Sequence, residues 1–204
     1  MSGDASWAQR AAPRRLLGAT SDELRSLVSR SRDVVVLAGI IGAITGLAVA
    51  GLESLVVDVL LGRLRTAPAV VVVLVPGAGL ALTAVVLRWL GGGASPSTAD
   101  EYVKAMTNLE LPLDLRPAPA RAAGSVATLG FGGAGGLEGP AIYIGAVVGA
   151  FGFDRLRRVL RGVDRRAALV AGAAAGVAAI FKAPATGAVF ALEVPFQDDL
   201  ARHS

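Results

Sequence analysis

Cysteine is absent from the 204 residues, which removes disulfides and thiolate metal sites. The one histidine, His203, sits in the terminal tail. No His/Asp/Glu cluster has metal-ligand spacing, so neither a metal nor another cofactor is expected. Charged residues are only 18% and aromatics 5%, against about 25% charged in an ordinary soluble domain. Basic residues interleaved with aromatics, the pattern of single-strand binders, do not occur. The formal net charge of +4 is therefore not read as a nucleic-acid footprint; arginine in so apolar a chain marks cytoplasmic loops instead. What is abundant is small and apolar: 26 glycines, 53% hydrophobic residues and a mean hydropathy of +0.60. Small residues in long apolar runs let helix backbones approach closely inside a bilayer. This composition specifies an integral membrane protein.

The polar, basic stretch 1–32 has no apolar core, so it is not a cleaved secretory signal. Ser21-Asp22-Glu23-Leu24 is expected to open a short amphipathic cytoplasmic helix. Val34–Leu61 is long enough to span, because a bilayer core takes about 20 apolar residues; Glu53 and Asp58 in its distal part predict a tilted helix. Gly62–Pro68 reads as a short loop and Val70–Leu90 as a returning span, with Arg88 placed to snorkel. Gly91–Met106 breaks the pattern, and Ser97 or Thr98 is suited to cap a helix through Asp100 and Glu101. A connecting loop, Asn108–Pro119, leads to a short helix from Ala120 to Phe131. An arginine cluster between Arg155 and Arg166 and the basic N-terminus place both on the cytoplasmic side. Ala167–Phe181 is a further short span, interrupted at Lys182-Ala183-Pro184 and continued from Ala185 to Leu192.

These elements are organised around GFGGAGGLEGPAIYIGA, Gly130–Ala146. Glycines leave backbone amides open to a ligand, and Pro140 suits the first turn of a helix. Unpaired amides and the positive end of the helix dipole suit an anion there. Glu138 is itself an anion at that place, so a mobile anion and its carboxylate would compete for one site. Gly130, Gly132 and Gly135 also fit a dinucleotide fingerprint, with Asp154 about 20 residues on; that reading needs a preceding soluble strand.

GGLEGPAIYIGA resembles the GxEGP signature of the CLC chloride channels and chloride–proton exchangers. A second stretch, Ala171–Glu193, is similar to the family's next pair of helices, and the resemblance runs from about residue 33 to the end. It implies an all-α membrane fold of tilted and broken, re-entrant helices, the first of two inverted repeats: 1–32 a cytoplasmic segment, 33–204 a partial membrane domain. The chain is expected to be a fragment of a cell-membrane protein, homodimeric in full-length form, with its N-terminus cytoplasmic. Chloride and the lipid bilayer are the implied partners; nucleic acid is not.

The resemblance further implies that Glu138 is a gate and that Gly136, Leu137, Glu138, Gly139 and Pro140 bind the anion. The family usually has a lysine or arginine where Leu137 stands. Its GSGIP-type motif aligns on Pro96, placing the motif's serine at Gly93, with Ser95 the nearest hydroxyl and so the further anion-binding residue expected. Lys182, where the family more often has asparagine, is expected to lend a positive field or to contact a carbonyl or Glu193. The family's exchangers end this helix in two acids, the second relaying protons. Here Glu193 is followed by Val194, which cannot carry a proton, so a channel is implied, with Glu193 the substitute relay in an exchanger. A membrane-associated dinucleotide-binding enzyme is the rival from another class; with no polar catalytic constellation, no enzyme is expected. A packing fragment that does not conduct alone is a third reading.

Overall fold

The structure, a computed structural model, describes residues 14–107, 113–158 and 164–193, with side chains from residue 32 onward. Every regular element among the described residues is helical. The first, α1 (Arg14–Glu53), passes into a π-helical segment, Ser54–Leu61, and a last turn, α2 (Gly62–Arg65). Two sequence expectations are corrected here. Ser21 does not open a separate helix, because α1 runs through it without interruption. Gly62–Pro68 is not wholly loop: helix continues to Arg65, and the chain turns at Thr66–Pro68. A capping residue acts only where the chain leaves the helix, and no glycine or proline forces an exit between Arg14 and Leu37 except Gly18, which a helix tolerates at a cost of about 1 kcal/mol.

The apolar stretch Arg32–Arg65 is 34 residues long, and its most apolar 18-residue window has a mean hydropathy of 2.4. At 1.5 Å per residue it is about 51 Å long, against a hydrocarbon core of about 30 Å. It therefore crosses at a tilt or projects beyond the core. The second span, α3 (Ala69–Trp89), reaches 2.6 over its most apolar 18 residues. Neither is a core helix of a soluble protein: Leu47 is 77% exposed and Val73 76%. Such faces are stable only against lipid or further protein.

Behind these spans lie α4 (Thr98–Thr107), α5 (Ala118–Gly130), α6 (Glu138–Leu156), α7 (Arg165–Phe181) and α8 (Pro184–Glu193). The helices around the glycine run and the Lys182 break thus fall where the sequence placed them. The tightest pair is α6 with α7. Ala141 faces Gly176, Gly145 faces Gly172, and Gly149 faces Ala168, backbone against backbone. These positions recur every four residues on both helices, so one small-residue stripe packs against another, antiparallel. The main core lies beside this pair: Tyr102 and Met106 of α4 pack with Tyr143, Ala146 and Ala150 of α6 and Leu169 and Ala173 of α7. The returning α8 seats Gly187 against Ala174 and Ala178, and its Phe190 ring lies 5.9 Å from that of Tyr102.

A second junction joins α3 to α5. Gly79 sits against Ala127 and Phe131, and Gly124 against Thr83. Thr83 Oγ1 lies 2.9 Å from the Gly124 carbonyl oxygen, 3.0 Å from that of Gly79 and 2.7 Å from Thr128 Oγ1. With one proton to donate, it bonds one of these three acceptors at a time, and when it donates to a carbonyl it can accept from Thr128. Thr83→Val keeps the shape and deletes this clasp, and should cost about 1 kcal/mol, the usual size of an interhelical hydrogen bond in a membrane protein. Thermal unfolding in detergent measures it; an unchanged midpoint would show the clasp to be energetically neutral.

Candidate anion site

The chain leaves α5 at Gly130 and turns at Phe131–Gly132, where Gly132 takes φ 86°. That left-handed conformation is open to glycine without strain. The run ends at Leu137, and α6 begins with Glu138. Pro140, third in the helix, gives up an amide that has no intrahelical partner there. The first amides of α6 are thus presented at the end of a glycine loop.

The start of α4 is brought to the same place. Thr98 Oγ1 lies 2.9 Å from the position a Cβ at Gly139 would take, so a side chain there would force the Thr98 hydroxyl to shift. Ser97 Oγ donates to Asp100 Oδ2 at 2.6 Å, and Ser97 N donates to Ser95 Oγ at 3.2 Å. A cavity of about 320 Å³ opens between these helix starts and the α3–α5 junction. Ser97, Thr98, Gly136, Gly139, Ser125 and Thr128 line it, together with Arg121. Two positive helix ends with a buried arginine and hydroxyl-bearing residues bordering one volume suit a small anion.

The expected site residues divide as follows. Gly136, Gly139 and Pro140 line the cavity. Leu137 instead packs with the Leu52, Val56 and Leu129 cluster and lines a separate cavity of about 310 Å³ with Val57, Leu61 and Gly133. Glu138 is exposed, and its carboxylate folds back over Gly136, where a Cβ would collide with it. Ser95 is exposed; it is Ser97 whose residue borders the cavity, while Ser95 Oγ accepts the Ser97 amide.

Lys182 caps α7 in the left-handed conformation, φ 53°. Its Nζ lies 3.0 Å from Glu53 Oε1. The expected contact to a carbonyl or Glu193 is corrected: the partner is the acid in the distal part of the first span, 129 residues away in sequence. The α6–α7 register puts Lys182 beyond the first turn of α6, at the end where the glycine run lies. Because α8 folds back along α7, Glu193 is carried away from that end, and it is exposed. Val194 lies outside the described residues.

Sequence reasoning missed Arg121. It is 5% exposed; Nε donates to the Ser95 carbonyl oxygen at 3.1 Å and Nη1 to Tyr143 Oη at 3.1 Å. Its Nη2 lies 3.3 Å from Glu101 Oε2, and the guanidinium carbon sits 5.2 Å from the Tyr143 ring centre. One signal was available: an arginine inside the small-residue helix APARAAGSVATLG. A cation within a buried membrane helix is costly and marks a site by default.

The sequence signature described as voltage gated chloride channel matches residues 79–203. The H(+)/Cl(-) exchange transporter ClcA of Salmonella paratyphi B is 32% identical over 185 residues, covering 84% of this chain. Its counterpart in Citrobacter koseri is 31% identical over the same length and share. A putative chloride channel protein, ClcB-like, from Ralstonia nicotianae is 34% identical over 129 residues, 60% of this chain and 29% of its own. The chain spans 39% of the length of the two exchange transporters. No solved structure matches it. The match along most of the span from α3 to α8, with a helical bundle and two apolar spans, places the chain in the voltage gated chloride channel family.

Proposed function

We propose that this chain supplies part of a transmembrane chloride pathway in which Glu138 is the gate. The observation that carries the reading is the meeting of the α4 and α6 N-termini at one polar cavity, with Thr98 against Gly139. Amides of Gly136 to Gly139 replace part of the ion's water shell, as fixed dipoles do in ion filters. Ionised, the Glu138 carboxylate competes with chloride for the helix end; protonated or swung aside, it leaves the site to the ion. Ser95 contributes by orienting Ser97 through the backbone amide.

A second reading, proton-coupled exchange, is favoured by the likeness to the two H(+)/Cl(-) exchange transporters. Here Glu193, carried by α8 toward the opposite end of α7 from Lys182, serves as the proton relay. Chloride efflux from proteoliposomes containing the protein that carries this chain tests both, with and without an imposed pH gradient. Chloride flux that moves no protons supports the channel; protons driven against their gradient by chloride support exchange and Glu193. No chloride-selective flux under either condition defeats both.

In the cell we propose a homodimer in the cell membrane with a cytoplasmic N-terminus, supported by the basic residues before the first span and between α6 and α7. Labelling of an N-terminal cysteine from the outside of intact cells would overturn the orientation, and a monomer by light scattering in detergent the dimer.

A further inference from the structure

Arg121 is a buried cation in a helix, and three separate elements converge on it. Its partners are the Ser95 carbonyl oxygen before α4, the Glu101 carboxylate within α4, and Tyr143 in α6. Burying a guanidinium beside one carboxylate costs more desolvation than the pair returns unless the remaining donors are also bonded. The structure meets that condition with a carbonyl and a phenol, a costly arrangement for a helix joint that apolar side chains could make. The joint also borders the cavity, which Arg121 shares with Ser97, Thr98 and Gly139. Glu101 is not held by Arg121 alone: Lys104 Nζ lies 3.1 Å from its Oε1.

We propose that Arg121 is the fixed positive charge of this cavity and sets its affinity for the anion, with Glu101 as the opposing charge that limits it. The proposal rests on the chloride reading above and assigns a determinant of its binding step. The role follows from charge and place. A guanidinium does not lose its proton at any accessible pH, so its field is constant while that of Glu138 varies. In a poorly screened interior a charge near the cavity shifts anion affinity substantially, and the sign follows the charge.

Three variants of the protein carrying this chain, purified in detergent, test the assignment by calorimetric titration with chloride. Arg121→Gln removes the charge and should weaken chloride binding roughly tenfold, the scale of one nearby charge in a protein interior. Arg121→Lys keeps the charge with fewer donors and should restore most of that loss. Glu101→Gln removes the opposing charge and should tighten binding, about threefold because Lys104 already offsets part of it. A purely structural brace predicts something else: both neutral variants would weaken binding together, and lysine would not rescue. That pattern, or an unchanged affinity in Arg121→Gln, overturns the proposal while leaving the chloride reading intact. Where Arg121→Gln does not fold, Glu101→Gln decides alone, since weaker or unchanged binding there has the wrong sign. Absence of chloride binding in the unmodified protein overturns the chloride reading and this proposal with it.

Discussion

Glu138→Gln is expected to leave a protein whose chloride flux no longer depends on acidity. On the proposed reading, the ionised carboxylate of the unmodified protein competes with chloride at the N-terminus of α6. Lowering the pH protonates it and removes the competing charge, so flux rises as pH falls. Removing one competing charge should change flux by at least about tenfold over the pH series, and in Glu138→Gln the change should be less than about twofold. Proteoliposome efflux at a series of pH values, equal on both sides, measures this. Under the exchange reading the same variant passes chloride without moving protons. A Glu138→Gln protein with the original pH profile would remove Glu138 from the gate. Gly136→Ala offers an independent check, because the new Cβ would occupy the space of the folded-back carboxylate. It should displace the gate and raise flux at neutral pH.

Gly172→Leu should be the most destabilising change in the helix bundle. A Cβ at Gly172 meets the Gly145 carbonyl oxygen, and one at Gly145 meets that of Gly172. Those obstacles are backbone, which cannot rotate away as a side chain tip does. The helices must separate, losing the contacts at Ala141 and Gly176 and at Gly149 and Ala168 as well. The expected cost is about 3 kcal/mol or more, the upper range for overpacking. Thermal unfolding in detergent, read by loss of the monodisperse peak, should show a fall of many degrees. Gly39→Ala is the contrasting case, because nothing lies within 4 Å of a Cβ there. Alanine favours the helix by up to about 1 kcal/mol, so the midpoint should hold or rise. Equal losses in both variants would mean that general helix propensity, and not the α6–α7 seam, governs stability.

Much of the fold is legible because its signals are local. A run such as Ala69–Trp89 must be helical in lipid, where every amide needs an internal partner. Glycines at 130–136 and Lys182-Ala183-Pro184 end helices by backbone chemistry alone, and Pro140 permits one to start. The continuity of α1 through Ser21 was less legible, since a capping residue inside a helix looks the same in sequence as one at its end.

The sequence by itself determined a helical membrane protein, the positions of its broken helices and the acid at the start of α6. Hydrophobicity, backbone freedom and a missing amide act within a few residues, so each can be read in place. Only the tertiary structure decided that Thr98 meets Gly139, that Leu137 turns away from the cavity, that Lys182 pairs with Glu53, and that Arg121 is tied to Ser95, Glu101 and Tyr143. Those contacts join residues on different helices. Which charges and hydroxyls share a volume depends on helix register and crossing, and these are fixed by how closely glycine stripes let the backbones approach.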